Sequence, residues 1–301
     1  MPKVSVILST YNRAYILRSA IESVLNQSYG DLELIVVDDG STDNTEQLVK
    51  SMSDARIVYV KHDKNYGLAT GRNTGLAKAG GEYIAFQDSD DMWEKEKLSR
   101  HVPLLDESSN TVAAVYGMLE KVLKDGSMVI QPAEHIFPME GNIHEQILRR
   151  NFITMQVALV RASVFRAVGL FDPAIYSLED WDFWIRCTQK FEVRFDPYIC
   201  VHAVVMGDSL TSNRPLRLDD RARAYEKNRQ AFTKYPSIRC EVLTNIAKGY
   251  LYAGNARKTR TYITEALMLK KSLRAMIIFC ASFFPRSLWR FGAKYVAISL
   301  R

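Results

Sequence analysis

Three carboxylates fall within four residues in Asp88-Ser89-Asp90-Asp91, directly after the short apolar run Tyr83 to Phe86. Crowding three anions is unfavourable unless a cation or several hydrogen-bond donors sit among them. Carboxylate oxygens suit Mg²⁺ or Mn²⁺, ions that commonly arrive with a bound phosphate. A solvated loop running into an acidic helix start would carry the same residues, because the helix dipole favours anions there. A second acidic group, Glu179-Asp180 with Asp182, lies far along the chain. It can cap a helix over Trp181 to Lys190 or supply a proton acceptor, and the two roles can coexist.

The elements that must position these groups follow from periodicity. Val4 to Leu8, Leu32 to Val37, Arg56 to Val60 and Tyr83 to Phe86 are short, apolar and rich in β-branched residues, which predicts strands. Between the first two, Ile16, Leu17, Ala20, Ile21, Val24 and Leu25 recur at helical spacing, and a further helix is expected from about Leu68 to Ala79. Strands alternating with helices predict βαβ units and a parallel sheet, with right-handed crossovers placing the loops after each strand on one rim. Thr10 and Tyr11, Asp38 and Asp39, and Asp88, Asp90 and Asp91 would share that rim. Gly40 supplies a tight turn, and Asp43 with Glu46 has the spacing of a capping box. Gly67, Gly71 and Gly75, spaced by four, predict a small-residue helix face for close packing. Arg72 falls between two of them, aimed at a phosphate or base, or simply at solvent. No Gly-x-Gly-x-x-Gly follows a strand and no Gly-Lys-Ser/Thr is present, so neither a dinucleotide fold nor a P-loop is supported.

Further on, Trp93 to Leu105 reads as a helix, and Thr111 to Tyr116 and Lys121 to Leu123 as strand-like. Asp125-Gly126 is a hairpin turn before Met128 to Ile130, and Asn151 to Val160 is another strand-like run. Leu216 to Lys234 and Ile238 to Ala253 read as helices, the second opening a helical hairpin.

A chain of 301 residues, 47% hydrophobic and 25% charged, is that of a folded protein and excludes wholesale disorder. The net charge of +6 is uneven: from Lys270 onward there are seven Lys or Arg and no acid, interleaved with Met276, Ile277, Phe279, Phe283, Phe284, Trp289 and Phe291. That mixture suits an anionic membrane surface better than nucleic acid, with a helix docked on protein as the alternative. Cys187, Cys200, Cys240 and Cys280 lack metal-ligand spacing and are expected to stay reduced, in a cytoplasmic setting. No signal peptide and no membrane span are expected.

The ordered set Ser9-Thr10-Tyr11-Asn12-Arg13, Val37-Asp38-Asp39-Gly40-Ser41-Thr42-Asp43, Gly71-Arg72-Asn73-Thr74-Gly75, Asp88-Ser89-Asp90-Asp91 and Phe171-Asp172-Pro173 with Glu179-Asp180-Trp181-Asp182 resembles the inverting family 2 glycosyltransferases. The resemblance spans about residues 3 to 212. It implies a GT-A fold, a three-layer αβα sandwich with a mostly parallel central sheet, over residues 1–212, leaving 213–301 as a basic helical extension. The implied reaction moves a sugar from a nucleotide-sugar, expected to be UDP-linked, to a hydroxyl of a glycan or lipid-linked acceptor with the help of Mg²⁺ or Mn²⁺. A sugar nucleotidyltransferase and an inactive nucleotide- or glycan-binding module are the alternatives.

By position the resemblance places Thr10 and Tyr11 at the base and ribose, Asp39 with Asp38 beside it at the base, and Arg72 near the nucleotide. Asp88, with Ser89 next to it, would face the ribose and sugar, and Asp90 would ligate the metal. Asp180 would be the catalytic base, Glu179 would position the acceptor, and Trp181 would form a sugar-stacking wall. One departure stands out. Where many relatives carry a histidine beside the diphosphate and metal, this chain has Met206, a poor ligand for either ion, so Asp208 or Ser209 would assist, while His202 faces the sheet.

Overall fold

The computed structural model describes residues 1–123, 125–132, 139–204 and 214–284. By contacts the chain divides into two compact units, residues 1–212 and 213–301.

The first unit opens with the expected alternation: β1 (Val4–Thr10), α1 (Ala14–Leu25), β2 (Leu32–Asp38), α2 (Thr45–Ser51), β3 (Ile57–Lys61), α3 (Leu68–Lys78) and β4 (Tyr83–Asp88). These four strands pair in parallel in the order β3-β2-β1-β4. Thr10 stands level with Asp38, and Ser9 with Asp88, so the polar ends of β1, β2 and β4 meet at one rim. Val6, Leu34 and Ala85 on one face and Ile7, Ile35 and Phe86 on the other are all buried, as strands covered on both faces require.

Helix α3 is held against β1 by its glycines. A Cβ on Gly71 would lie 2.8 Å from Ser9 Oγ, and one on Gly75 would run into the Ile7 side chain. Gly67 does something different: at φ +90 it precedes the helix as its N-cap.

Past β4 the sheet departs from a mostly parallel one. The chain continues through β5 (Asp91–Trp93), α4 (Lys97–Asp106), β6 (Val112–Val122), β7 (Met128–Gln131), α5 (His144–Arg149), a 3-10 turn at Met155–Val157, β8 (Ala158–Arg161), α6 (Ala162–Val168), α7 (Glu179–Thr188) and β9 (Glu192–Val204). The described sheet extends β4-β8-β6-β9-β5, with β7 paired to β6; β6 and β9 run parallel and the other new pairings are antiparallel. Trp93 is therefore not the start of a helix. It closes an edge strand against β9, and the helix waits until Lys97. Likewise only the end of the apolar run before Val160 is strand.

The order has a geometric consequence. β4 and β5 are four strand positions apart, about 19 Å in a flat sheet at the usual ~4.8 Å spacing. Only Ser89 and Asp90 connect them, and the three Cα steps from Asp88 to Asp91 reach no more than about 11 Å. The sheet must curl until its far edge returns beside the C-terminal end of β4.

The second unit is helical: α8 (Arg214–Lys227), a 3-10 turn at Arg229–Phe232, α9 (Pro236–Ala253), α10 (Ala256–Leu269) and α11 (Leu273–Ala281). The expected helix to Lys234 thus stops at Lys227. Gly254 ends α9 in the left-handed region, and Asn255 caps α10 by accepting from the Lys258 N–H. Tyr250 and Tyr262 stack between these two helices at 5.8 Å.

Gly75→Ala tests the helix contact. Helix propensity alone would stabilise the variant by up to about 1 kcal/mol, whereas the collision with Ile7 should destabilise it by about 1–3 kcal/mol. A urea melt showing a gain would remove the close-packing account.

Candidate active site

The rim is built by loops that hold one another. Asn12, at φ +51, is the one described non-glycine residue with positive φ, a conformation asparagine tolerates. Its N–H donates to Ser41 Oγ at 2.8 Å, and its Oδ1 accepts from the Thr42 N–H at 2.8 Å. The loops after β1 and β2 are thereby joined. Asp43 does not form the expected capping box with Glu46. Instead it accepts from the Ala14 N–H at 3.0 Å and from Thr45, so it ties the start of α1 to the same loop.

Asp38 is wholly buried. It accepts from the Ser41 N–H at 2.8 Å and the Tyr59 hydroxyl at 2.6 Å. With no solvent-facing atom, it shapes the loop and does not touch a nucleotide, contrary to the expectation for it. Asp39 is also buried, accepting from the Tyr66 and Gly67 N–H groups at 2.9 and 2.7 Å and from His62 Nδ1 at 2.7 Å. A carboxylate offers about four lone-pair sites; three are filled here. Thr10 Oγ1 is buried without a protein partner, while Tyr11 stands exposed beside it.

His62 is a residue that the sequence reading passed over. It bridges Asp39 to Thr74, its Nε2 2.9 Å from Thr74 Oγ1. Its position immediately after β3, on the same rim, was the available signal.

The motif on α3 reaches three places with three consecutive side chains. Thr74 meets His62. Asn73 exchanges two hydrogen bonds with the backbone of Phe171, at 2.9 and 3.0 Å. Arg72, 4% exposed, donates to Glu179 Oε1 at 2.7 Å and to Asp88 Oδ1 at 3.0 Å, its guanidinium lying over the rings of Phe86 and Phe171. It is therefore a buried bridge, neither a surface arginine nor one aimed straight at a phosphate. Burial, with the charges of Asp180 and Asp88, pushes the Glu179 carboxyl up, and Arg72 opposes this. Glu179 and Asp180 lie inside the first turn of α7, after the N-cap Leu178, so neither is a cap. Asp180 is half-buried, and the Trp181 N–H donates to its Oδ1 at 2.7 Å.

Trp181 is 1% exposed, and its indole N–H donates to Ile147 O at 2.7 Å. It is core, which corrects its expected role as a sugar-stacking wall.

In the acidic turn, Arg13 pairs with Asp90 at 2.7 Å and donates to Ser89 Oγ at 3.4 Å. Burial first, then the charge of Asp88, raises Asp90 above the usual carboxylate range, with Arg13 opposing. Asp91 caps no helix: it opens β5, is buried, and accepts from Gln156 Nε2 at 3.1 Å, with burial and its two acidic neighbours pushing it well up. Behind it Lys97 is fully buried, donating to Gln156 O with its amine 3.5 Å above the Trp93 ring. Burial lowers its pKa to about 7.

Asp88 and Asp90 are hard oxygen donors that repel each other at a partly open rim, a set that fits Mg²⁺ or Mn²⁺ by chemistry. Among the described residues no three His, Cys, Asp or Glu side chains form a metal cluster. Met206, Asp208 and Ser209 lie outside the described residues. His202 is engaged elsewhere, between Glu120 at 2.8 Å and Glu94 at 2.7 Å.

A family model for glycosyl transferase family 2 matches residues 5–169, more than half of the chain. The chain belongs to that family. The putative teichuronic acid biosynthesis glycosyltransferase TuaG of Bacillus subtilis is 42% identical over 216 residues, which cover 71% of this chain and 83% of TuaG. WfgD of Escherichia coli, a UDP-Glc:alpha-D-GlcNAc-diphosphoundecaprenol beta-1,3-glucosyltransferase, is 39% identical over 126 residues, covering 42% of this chain and 49% of that one. Two uncharacterized glycosyltransferases of Rickettsia felis and Rickettsia bellii are 33% and 30% identical, and the matches span only 34% and 29% of their lengths. Among solved structures, S. aureus TarS 1–349 in complex with UDP superposes with a TM-score of 0.59 at 18% identity, covering 96% of this chain and 92% of that one. The mannosyltransferase PcManGT of Pyrobaculum calidifontis, in complex with GDP-Man and Mn²⁺, gives 0.60 at 19% identity, covering 98% and 85%. The family 2 chain thus has the GT-A fold, with a helical region after it.

Arg72→Ala strands Glu179 and should cost about 3–5 kcal/mol in a urea melt, whereas Arg72→Ala/Glu179→Gln should recover part of that loss; equal losses would separate the two residues energetically. Lys97 has a folded pKa of about 7 against an ordinary 10.5, so the stability linked to its neutral form is complete above 10.5 and lost as pH falls through about 7. Relative to Lys97→Met, the wild type should therefore gain stability as pH rises across that window, and parallel pH profiles would refute the assignment.

Proposed function

We propose that this chain transfers a sugar from a nucleotide-sugar donor, UDP-linked, to a hydroxyl of a glycan or lipid-linked acceptor with inversion, in cell-surface polysaccharide synthesis at the cytoplasmic membrane face. The observation that carries this reading is the Arg72 bridge, which ties Asp88 of the acidic turn to Glu179, the neighbour of Asp180. One residue links two carboxylate groups whose tasks on opposite sides of a reacting sugar are complementary. The names of TuaG and WfgD, and the UDP bound by TarS, support the substrate class.

In this reading the exposed Tyr11 and the unpartnered Thr10 hydroxyl line the base and ribose. Asp39 offers its remaining lone pair to the base. Asp88, held by Arg72, faces the ribose and sugar, with Ser89 beside it. Asp90 would hold a divalent cation with the donor's phosphate oxygens, and that ion would stabilise charge on the departing nucleoside diphosphate. Asp180 accepts the proton of the acceptor hydroxyl as it attacks the anomeric carbon, and nucleoside diphosphate leaves from the opposite face. Glu179 is too buried to touch the acceptor. It acts through Arg72 to fix the first turn of α7, and with it Asp180.

Calorimetry should show UDP binding that needs Mn²⁺ or Mg²⁺ and is lost in Asp90→Ala. Asp180→Asn should lower turnover by about 10²–10⁴-fold, the usual worth of a positioned base, while leaving UDP affinity intact. Loss of UDP binding in Asp180→Asn would overturn its acceptor-side role.

A further inference from the structure

Helix α11 carries two apolar faces, and the second unit uses one of them. Ala275 and Ile278 are buried, with Ser282 beyond the helix end, where α11 packs on α9 and α10. Leu273, Met276, Ile277 and Cys280, at positions i, i+3, i+4 and i+7, make a stripe on the solvent side. Leu273 is 71% exposed, and Phe283 and Phe284, which prolong the stripe past the helix, are 60% and 59% exposed. Of these six apolar side chains only Phe283 has a described ring contact, with Phe279 at 5.2 Å and the Arg260 guanidinium at 5.0 Å, although α11 already packs through its other face. Contiguous exposed apolar surface of this kind marks an interaction site.

The charges around the stripe select its partner. Lys270 and Lys271 are exposed at the entrance to α11, and Arg274, which donates to Asn245 Oδ1 at 3.0 Å, lies within its first turn. From Lys270 to the end of the chain the sequence holds seven cations and no acid. An apolar stripe flanked by cations alone is the composition of a helix lying in the plane of a bilayer interface, its apolar side chains below the headgroups and its cations among the phosphates.

We infer that the Leu273–Phe284 face of α11 binds the surface of a membrane containing anionic lipid. Among the described residues no helix is long and apolar enough to cross a bilayer, and the contact inferred is peripheral. This deepens the membrane-side reading of the proposed function. It rests on that reading only for the presence of a lipid-linked acceptor, and vesicle binding can be measured with neither donor nor acceptor.

Cys280 provides the probe, because it sits on the stripe and is exposed while Cys187, Cys200 and Cys240 are buried. The full chain is labelled with a maleimide under native conditions, alone, with phosphatidylcholine vesicles, and with vesicles of phosphatidylcholine and phosphatidylglycerol in equal parts. Cys280 should label readily in solution, label equally with the zwitterionic vesicles, and be protected about tenfold by the anionic ones, with the protein co-sedimenting. Met276→Glu/Ile277→Glu should keep its circular dichroism and lose the protection. Lys270→Gln/Lys271→Gln should weaken vesicle binding by about 30-fold, on the basis of about 1 kcal/mol for each cation at an anionic surface. Three outcomes would overturn the inference: slow labelling in free solution, which would mean that the chain's own residues or a second copy cover the stripe; protection that survives Met276→Glu/Ile277→Glu; or no protection by anionic vesicles. Any of them would leave the UDP-binding and turnover predictions standing.

Discussion

A guanidinium buried between two carboxylates and two aromatic rings is the interaction on which the first unit depends. Arg72 gives up its hydration to sit between Asp88 and Glu179, over Phe86 and Phe171. Removing three charges from water is costly unless their geometry is nearly ideal. The neighbouring sequence supplies that geometry: glycines on either side let α3 approach β1 closely, and Asn73 pins the Phe171 segment in place. The same helix therefore fixes the distance between an acidic turn at the end of β4 and an acidic first turn on α7.

Around this bridge the rim is held together by the chain's own hydrogen bonds. Asn12 with Ser41 and Thr42 joins two loops, and Asp39 with His62, Tyr66 and Gly67 joins a third to the start of α3. These bonds are mostly between side chains and backbone N–H groups, which hold a loop to one conformation. A site fixed in this way loses little conformational entropy on binding.

The alternating half of the fold was legible because its signals are local. Strand runs, helical periodicity and the spaced glycines each act over a few residues, and the common rim followed from right-handed crossovers. The acidic positions were legible too, since anions crowded at strand ends have few structural uses. What stayed hidden was pairing at a distance. Nothing near Trp93 announces that β9, a hundred residues later, will turn it into an edge strand, and nothing near Trp181 says that Ile147 will take its indole N–H. Burial explains the remaining corrections: Asp38 and Trp181 have the right chemistry for ligands, but tertiary packing turns both inward. Arg72 illustrates the middle case, in which its functional character could be read but not the two carboxylates it would join.

The curl of the sheet gives the acidic turn a mechanical property. Asp90 sits on a two-residue connection whose sides belong to different parts of the sheet, β4 among the parallel strands and β5 against the far edge. Its position is therefore a difference measurement between those two parts. The twist accumulated through β8, β6 and β9 therefore sets where the carboxylate stands as much as β4 does.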